Sequence, residues 1–122
     1  VDVLVMIIEI LLGLMFLMAG SMKVFGTKMQ VDSFAHLKLP QWFRVFTGLT
    51  QYIAVIALVI GFWEPSWSAW AGIWLGFIML GAAAAHIRVK DPVTALLPVI
   101  VLLILSVALT LLQSSELANF PG

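Results

Sequence analysis

Four polar side chains lie inside or at the ends of otherwise apolar stretches, and each is of a type that can orient a ligand or move a proton. Glu9 is a carboxylate within a hydrophobic run, a placement that costs about 2.5–3.5 kcal/mol at mid-helix and marks a residue for function by default. It can act as a proton-exchanging or ligand-orienting acid, or it can reach surface water or be held by hydrogen bonds. Gln51 is a neutral amide able to hold a backbone carbonyl, a hydroxyl or a ligand carbonyl, with interhelical bonding the simpler use. His86 can carry a proton, donate to a quinone, sit satisfied at the interface or ligate a haem iron. Haem is the weakest of these, because a bis-histidine site would also require His36 in the first connection. Lys23 either positions an anionic group or snorkels to the headgroups. No set of residues has the spacing of a tetrahedral zinc site, and no metal is expected.

Helical spacing sorts these residues onto faces. Glu9, Gly13, Phe16, Gly20 and Lys23 recur at intervals of three and four, as do Arg44, Gly48, Gln51 and Val55. Gly72, Gly76, Met79, Ala83 and His86 do the same, and Gly72 and Gly76 form a GxxxG. Small residues let membrane helices approach closely, so Gly13, Gly20, Gly48, Gly72 and Gly76 read as packing positions and their stripes as interior faces.

Four apolar runs must position these groups: 3–24, 43–63, 67–87 and 93–112. Each is about the length needed to cross ~30 Å of hydrocarbon, and a lone segment in lipid can satisfy its backbone only as a helix. The fold class is therefore all-α, an antiparallel four-helix membrane bundle, with residues 1–122 forming one transmembrane domain. Pro92 suits the first turn of the fourth helix, and Pro98 frees the Thr94 carbonyl and is expected to kink it. The first connection is the only long one. Residues 27–39 read as a short amphipathic helix lying in the interface, or less simply as a lid over a pocket at that end. Trp63, Trp67, Trp70 and Trp74 gather at the opposite end, as an interfacial aromatic belt does; the other reading is a slot for a planar ligand.

A mean hydropathy of +1.16, with 63% hydrophobic and 10% charged residues, excludes an ordinary soluble domain. Lys28 and Lys38 lie between the first two runs, Lys23 and Arg44 lie at the ends of those runs that flank the same connection, and Arg88 and Lys90 lie between the last two, which leaves no basic residue on the other side. The positive-inside rule then makes connections 25–42 and 88–92 cytoplasmic and puts both termini outside a plasma membrane. The first run has an acidic start and can span, so no cleavable signal peptide is expected. Net charge is zero, which argues against nucleic acid as a partner. Cysteine is absent, so disulfides, thiolate nucleophiles and CxxC relays are excluded for this polypeptide, although not redox work with a partner or cofactor.

Three segments carry a resemblance. FLMAGSMKVFG (16–26) is similar to the glycine–lysine signature that closes the first helix of DoxX-like membrane proteins. KLPQWFRVFTGLTQYIAVIALVIG (38–61) resembles their loop proline and second helix, and MLGAAAAHIRVKDP (79–92) the small-residue run and histidine closing their third. The family pattern often has an acidic residue where Gln51 stands and a basic one near Glu9, so a charge-pair mechanism does not transfer. The resemblance implies a four-helix bacterial membrane protein associated with quinone-linked redox chemistry, an oxidoreductase component working with a partner protein.

Two functions follow as expectations. In the first, the chain is a quinone-linked membrane subunit in which Glu9, Gln51 and His86 bind or exchange protons with the ligand and Lys23 positions an anionic group. In the second, it is a non-catalytic binding or assembly protein that holds a lipid-like ligand, or a neighbour or second copy through the Gly72/Gly76 face. Transport is weaker, since the two halves show no inverted repeat.

Overall fold

The computed structural model describes residues 2–121. Its helices are α1 (Asp2–Phe25), α2 (Lys28–His36), α3 (Gln41–Ile60), α4 (Pro65–Arg88) and α5 (Val93–Leu112), followed by a 3-10 segment over Ser114–Asn119. There is no strand among the described residues. Four of the helices are long and apolar enough to cross a membrane, and α2 is the short helix expected between the first two. Prolines set two of the starts: Pro40 immediately precedes α3, and Pro65 occupies the first turn of α4, where its missing N–H has no intrahelical partner to lose. The second long helix ends at Ile60 rather than near Trp63, because Gly61, Phe62 and Trp63 turn back onto the Ala57, Val59 and Ile60 carbonyls. Pro98 lies inside an α5 that runs unbroken from Val93 to Leu112.

Around the bundle the order is α1, α3, α4, α5, with α1 packed chiefly on α3 and α4 chiefly on α5, while α3 on α4 and α1 on α5 close the ring less extensively. Glycine sets the first pairing. A Cβ added to Gly48 would lie 2.8 Å from the Gly20 carbonyl oxygen and 2.9 Å from Lys23 Cβ, so the two backbones touch where side chains would hold them apart. Tyr52 adds a hydroxyl bond to Ser21 at 2.7 Å across the same seam. Gly72 does the equivalent for α4 and α5, since a Cβ there would meet Thr110 Oγ1 at 2.5 Å and the Ser106 carbonyl at 2.9 Å. Within the chain α5 therefore covers the GxxxG closely at Gly72 and more loosely at Gly76, where the nearest atom to an added Cβ is Ser106 Cβ at 4.0 Å. Gly13 differs: a Cβ there would meet nothing within 4 Å, so no described part of this chain packs closely on it.

Leu12, Phe16, Leu58, Leu75 and Leu109 are fully buried and fill the middle of the bundle. The outward faces are as apolar as the inside: Leu14, Met18, Ile53, Phe77 and Ile104 are all well over half exposed. Such a surface is stable only where hydrocarbon replaces water, and the chain is accordingly a membrane protein.

Candidate functional site

Between the leucine layer and α2 the helices do not fill the bundle. A cavity of about 770 Å³ opens there, floored by Phe16, capped by Phe34 of α2 and by Leu37 just after it, and bounded by α3, α4 and the first half of α5. The α4 sequence explains the space: Gly81, Ala82, Ala84 and Ala85 line it and are too small to reach across. Phe46 and Phe77 also line it while 53% and 67% exposed, so its lining reaches the lipid-facing surface at α3 and α4.

Three of the four polar residues singled out in the sequence meet in this space. Gln51 lines it with no exposure to solvent, and neither its Nε2 nor its Oε1 has a hydrogen-bond partner. A buried amide left unpaired costs about 1–3 kcal/mol, so its expected interhelical bond is replaced by an open donor and an open acceptor. Lys23 enters beside it because Gly48, one turn before Gln51, brings Lys23 Cβ against α3. The Lys23 side chain makes no ion pair among the described residues, and no Asp or Glu lines the cavity. His86 and Arg88 are the other basic lining residues.

His86 is held by a residue that sequence spacing did not single out. Asp91 accepts from His86 Nδ1 at 2.6 Å and from His36 Nε2 at 2.5 Å, one oxygen to each ring. The two histidines therefore converge on a carboxylate rather than on an open axial position between them. The hydrogen bond from His86, with that from His36 second, holds the Asp91 carboxyl below the usual carboxylate range. A neutral His86 bonded in this way carries its proton on Nδ1, which leaves Nε2 as a proton acceptor at the cavity wall. The same cluster fixes α2, since His36 is its last residue and Arg88 donates to the Leu37 carbonyl just beyond it. Gln41 adds a bond to the Val31 carbonyl at 3.1 Å, and Arg44 donates to the Lys23 carbonyl. The amphipathic segment is thus the short helix expected, with Phe34 and Leu37 against the cavity.

Glu9 is not part of this site. It lies fourteen residues before Lys23 on one helix, roughly 20 Å away by helical rise, with the leucine layer between. It is 3% exposed, and its carboxyl is beside the side chains of Ser68 and Gln113. The tryptophans also divide. Trp67 and Trp70 donate their indole N–H to the Pro121 and Leu117 carbonyls at 2.9 and 3.0 Å, and both rings pack on Phe120, so they clasp the C-terminal segment. Trp74 instead lines the cavity, while Trp63 is 75% exposed.

Among the residues missed, Asp91 left a faint trace: a carboxylate in a Lys-Asp-Pro turn, five residues after the histidine it binds. No spacing rule links it to His36, which is 55 residues distant. No curated protein and no solved structure matches the chain. The model of the DoxX-like family matches residues 7–109. That span runs from the first turns of α1 to near the end of α5 and contains Lys23, Gln51, His86 and Asp91. By this match, over most of its length, the chain belongs to the DoxX-like family.

Proposed function

We propose that this protein takes a quinone from the bilayer into the cavity at its basic end and serves as the quinone-binding membrane subunit of a redox pair. One observation carries the reading: Gln51 is wholly buried with an unsatisfied donor and acceptor in a largely apolar cavity whose lining reaches the lipid-facing surface. A quinone head is planar and apolar in its ring, and its two carbonyl oxygens accept hydrogen bonds. Gln51 Nε2 and the Lys23 ammonium supply donors, Trp74 and Phe43 supply aromatic walls, and Gln51 Oε1 accepts from a hydroxyl once the head is reduced. Electrons come from a redox centre on a partner protein. This chain's part is to hold the head, exclude water, and let His86 Nε2 exchange a proton, with Asp91 fixing its tautomer. With the basic connections cytoplasmic, the partner and the proton supply are on that side.

The test is extraction of co-purifying quinone, followed by titration of the stripped protein in nanodiscs with a tail-less benzoquinone read by tryptophan quenching. Saturable binding that Gln51→Leu abolishes is the expected result. Quenching that never saturates, or that is identical in Gln51→Leu, would end the assignment.

The second reading, non-catalytic retention of a lipid-like ligand, is favoured by the charge of the same cavity, which has Lys23, His86 and Arg88 and no acid. An anionic single-chain lipid that displaces the quinone and binds more tightly would select it.

A further inference from the structure

A second, smaller depression of about 230 Å³ lies outside the first, on the lipid-facing side of the α3–α4 seam. The two share Thr50 and Trp74 as lining residues, so the furrow adjoins the cavity and extends from it toward the opposite end of the bundle. From Thr50 to Ala57 the furrow follows about 10 Å of helix. Its floor is made of small side chains, Ala54, Ala57 and Ala71, and Phe120 lies at its far end. Phe120 is carried there by the C-terminal segment clasped by Trp67 and Trp70.

The two spaces differ in chemistry. In the cavity, Gln51 leaves a donor and an acceptor open. In the furrow, polar atoms are already engaged: Thr50 Oγ1 donates to the Thr47 carbonyl at 2.7 Å, and the Trp67 and Trp70 indoles donate to the C-terminal segment. What remains facing the furrow is ring face and methyl. A ligand filling both would have a hydrogen-bonding head and a hydrocarbon tail that leaves the head along the lipid-facing seam.

From this adjacency and the contrast in chemistry we infer that the α3–α4 furrow is the subsite for the ligand's tail, an extended isoprenoid or alkyl chain that passes Trp74 and ends against Phe120. The inference rests on the proposed head site and adds a direction to it. The ligand enters sideways from the lipid, tail last, and only molecules with a single flexible chain on the head fit the path. Trp74 stands where head space becomes tail space and determines which chains pass.

Photolabelling in nanodiscs tests this with a benzoquinone whose alkyl tail carries a diazirine. Label is expected on the peptides containing residues 53–57 and 67–74, competed away by excess decyl-tailed quinone and lost in Gln51→Leu. Ala57→Phe fills the floor, and Trp70→Ala removes a wall in case the first variant misfolds. Each should lower the competed label roughly tenfold, as a packing defect of this size implies, with tail-less quinone binding unchanged. Competed label on the outward faces of α1 or α5, or furrow label indifferent to both variants, overturns the tail path while leaving the head site standing. If tail-less quinone does not bind at all, the head site fails and the tail path with it.

Discussion

His86 and Asp91 are joined twice: the Asp91 backbone N–H donates to the His86 carbonyl at 3.0 Å, and the Asp91 Oδ2 accepts from His86 Nδ1 at 2.6 Å. The backbone bond is the helix-terminating turn itself, made possible by Lys90 at φ 59° in the left-handed region. That turn swings the aspartate back over the last turn of α4. There its second oxygen is free to take His36 from α2. One local backbone motif thus links the cavity histidine to the helix that covers the cavity.

Acid should release that link. Asp91 is held below its ordinary value of 3.8 by its histidine partners, so its contribution is fully present above that value. It falls away as pH drops from there through the lowered folded value. A spin label at exposed Met29 on α2 should become more mobile over that window, and Asp91→Asn should show the added mobility already at neutral pH. Equal label mobility in the wild type and Asp91→Asn would remove Asp91 as the tether.

Gln51→Leu is expected to raise stability and lower function together. It removes an amide whose polar atoms are unpaired, worth about 1–3 kcal/mol against the folded state, and replaces it with a side chain of similar size. Denaturant unfolding in detergent should show the gain, and quinone titration the loss. A destabilised variant would mean that the amide has a partner in the membrane.

The two ends of the bundle should respond independently. Glu9→Gln keeps a polar group beside Ser68 and Gln113, about 10 Å of helix below the cavity floor at Phe16 and roughly 20 Å from Lys23, and should leave quinone affinity within about twofold. Lys23→Met retains the stem but loses the ammonium, and should weaken binding about tenfold, the loss of one charged hydrogen bond. Titration of both variants distinguishes these outcomes, and a reversed order would move the site to the Glu9 end.

Glycine variants offer a check on packing. Gly48→Ala places a methyl 2.8 Å from the Gly20 carbonyl, a backbone atom that cannot swing aside, and should cost about 1–3 kcal/mol. Gly13→Ala meets open space and should be neutral or slightly stabilising. Paired thermal melts measure both.

Much of this was legible from period and charge alone. The 3–4 spacing that grouped Gly20 with Lys23, and Gly48 with Gln51, is the spacing that brings those residues together, because a helix fixes which side chains share a face. The same spacing grouped Gly13 with them, although no described part of this chain packs closely there; a face is a property of one helix, whereas contact needs a second. Glu9 does not join Gln51 and His86 because a shared stripe fixes only the face, while the rise along the helix, equally readable in the sequence, puts Glu9 toward the opposite end. Asp91 and His36 escaped because their meeting is made by the fold of a turn over a distant helix. The C-terminal clasp on Trp67 and Trp70 escaped likewise, as indole enrichment at a membrane boundary carries no information about which carbonyl each N–H will find.

The pairing of α1 with α3 and of α4 with α5 has a mechanical consequence. Each pair is drawn close by a glycine contact, while the cavity lies between the pairs, which are joined by α3 on α4 and by a thinner α1–α5 seam. A guest in the binding space therefore touches both pairs at once. It would act as a brace across the seam that the bundle's own side chains leave unfilled at this end.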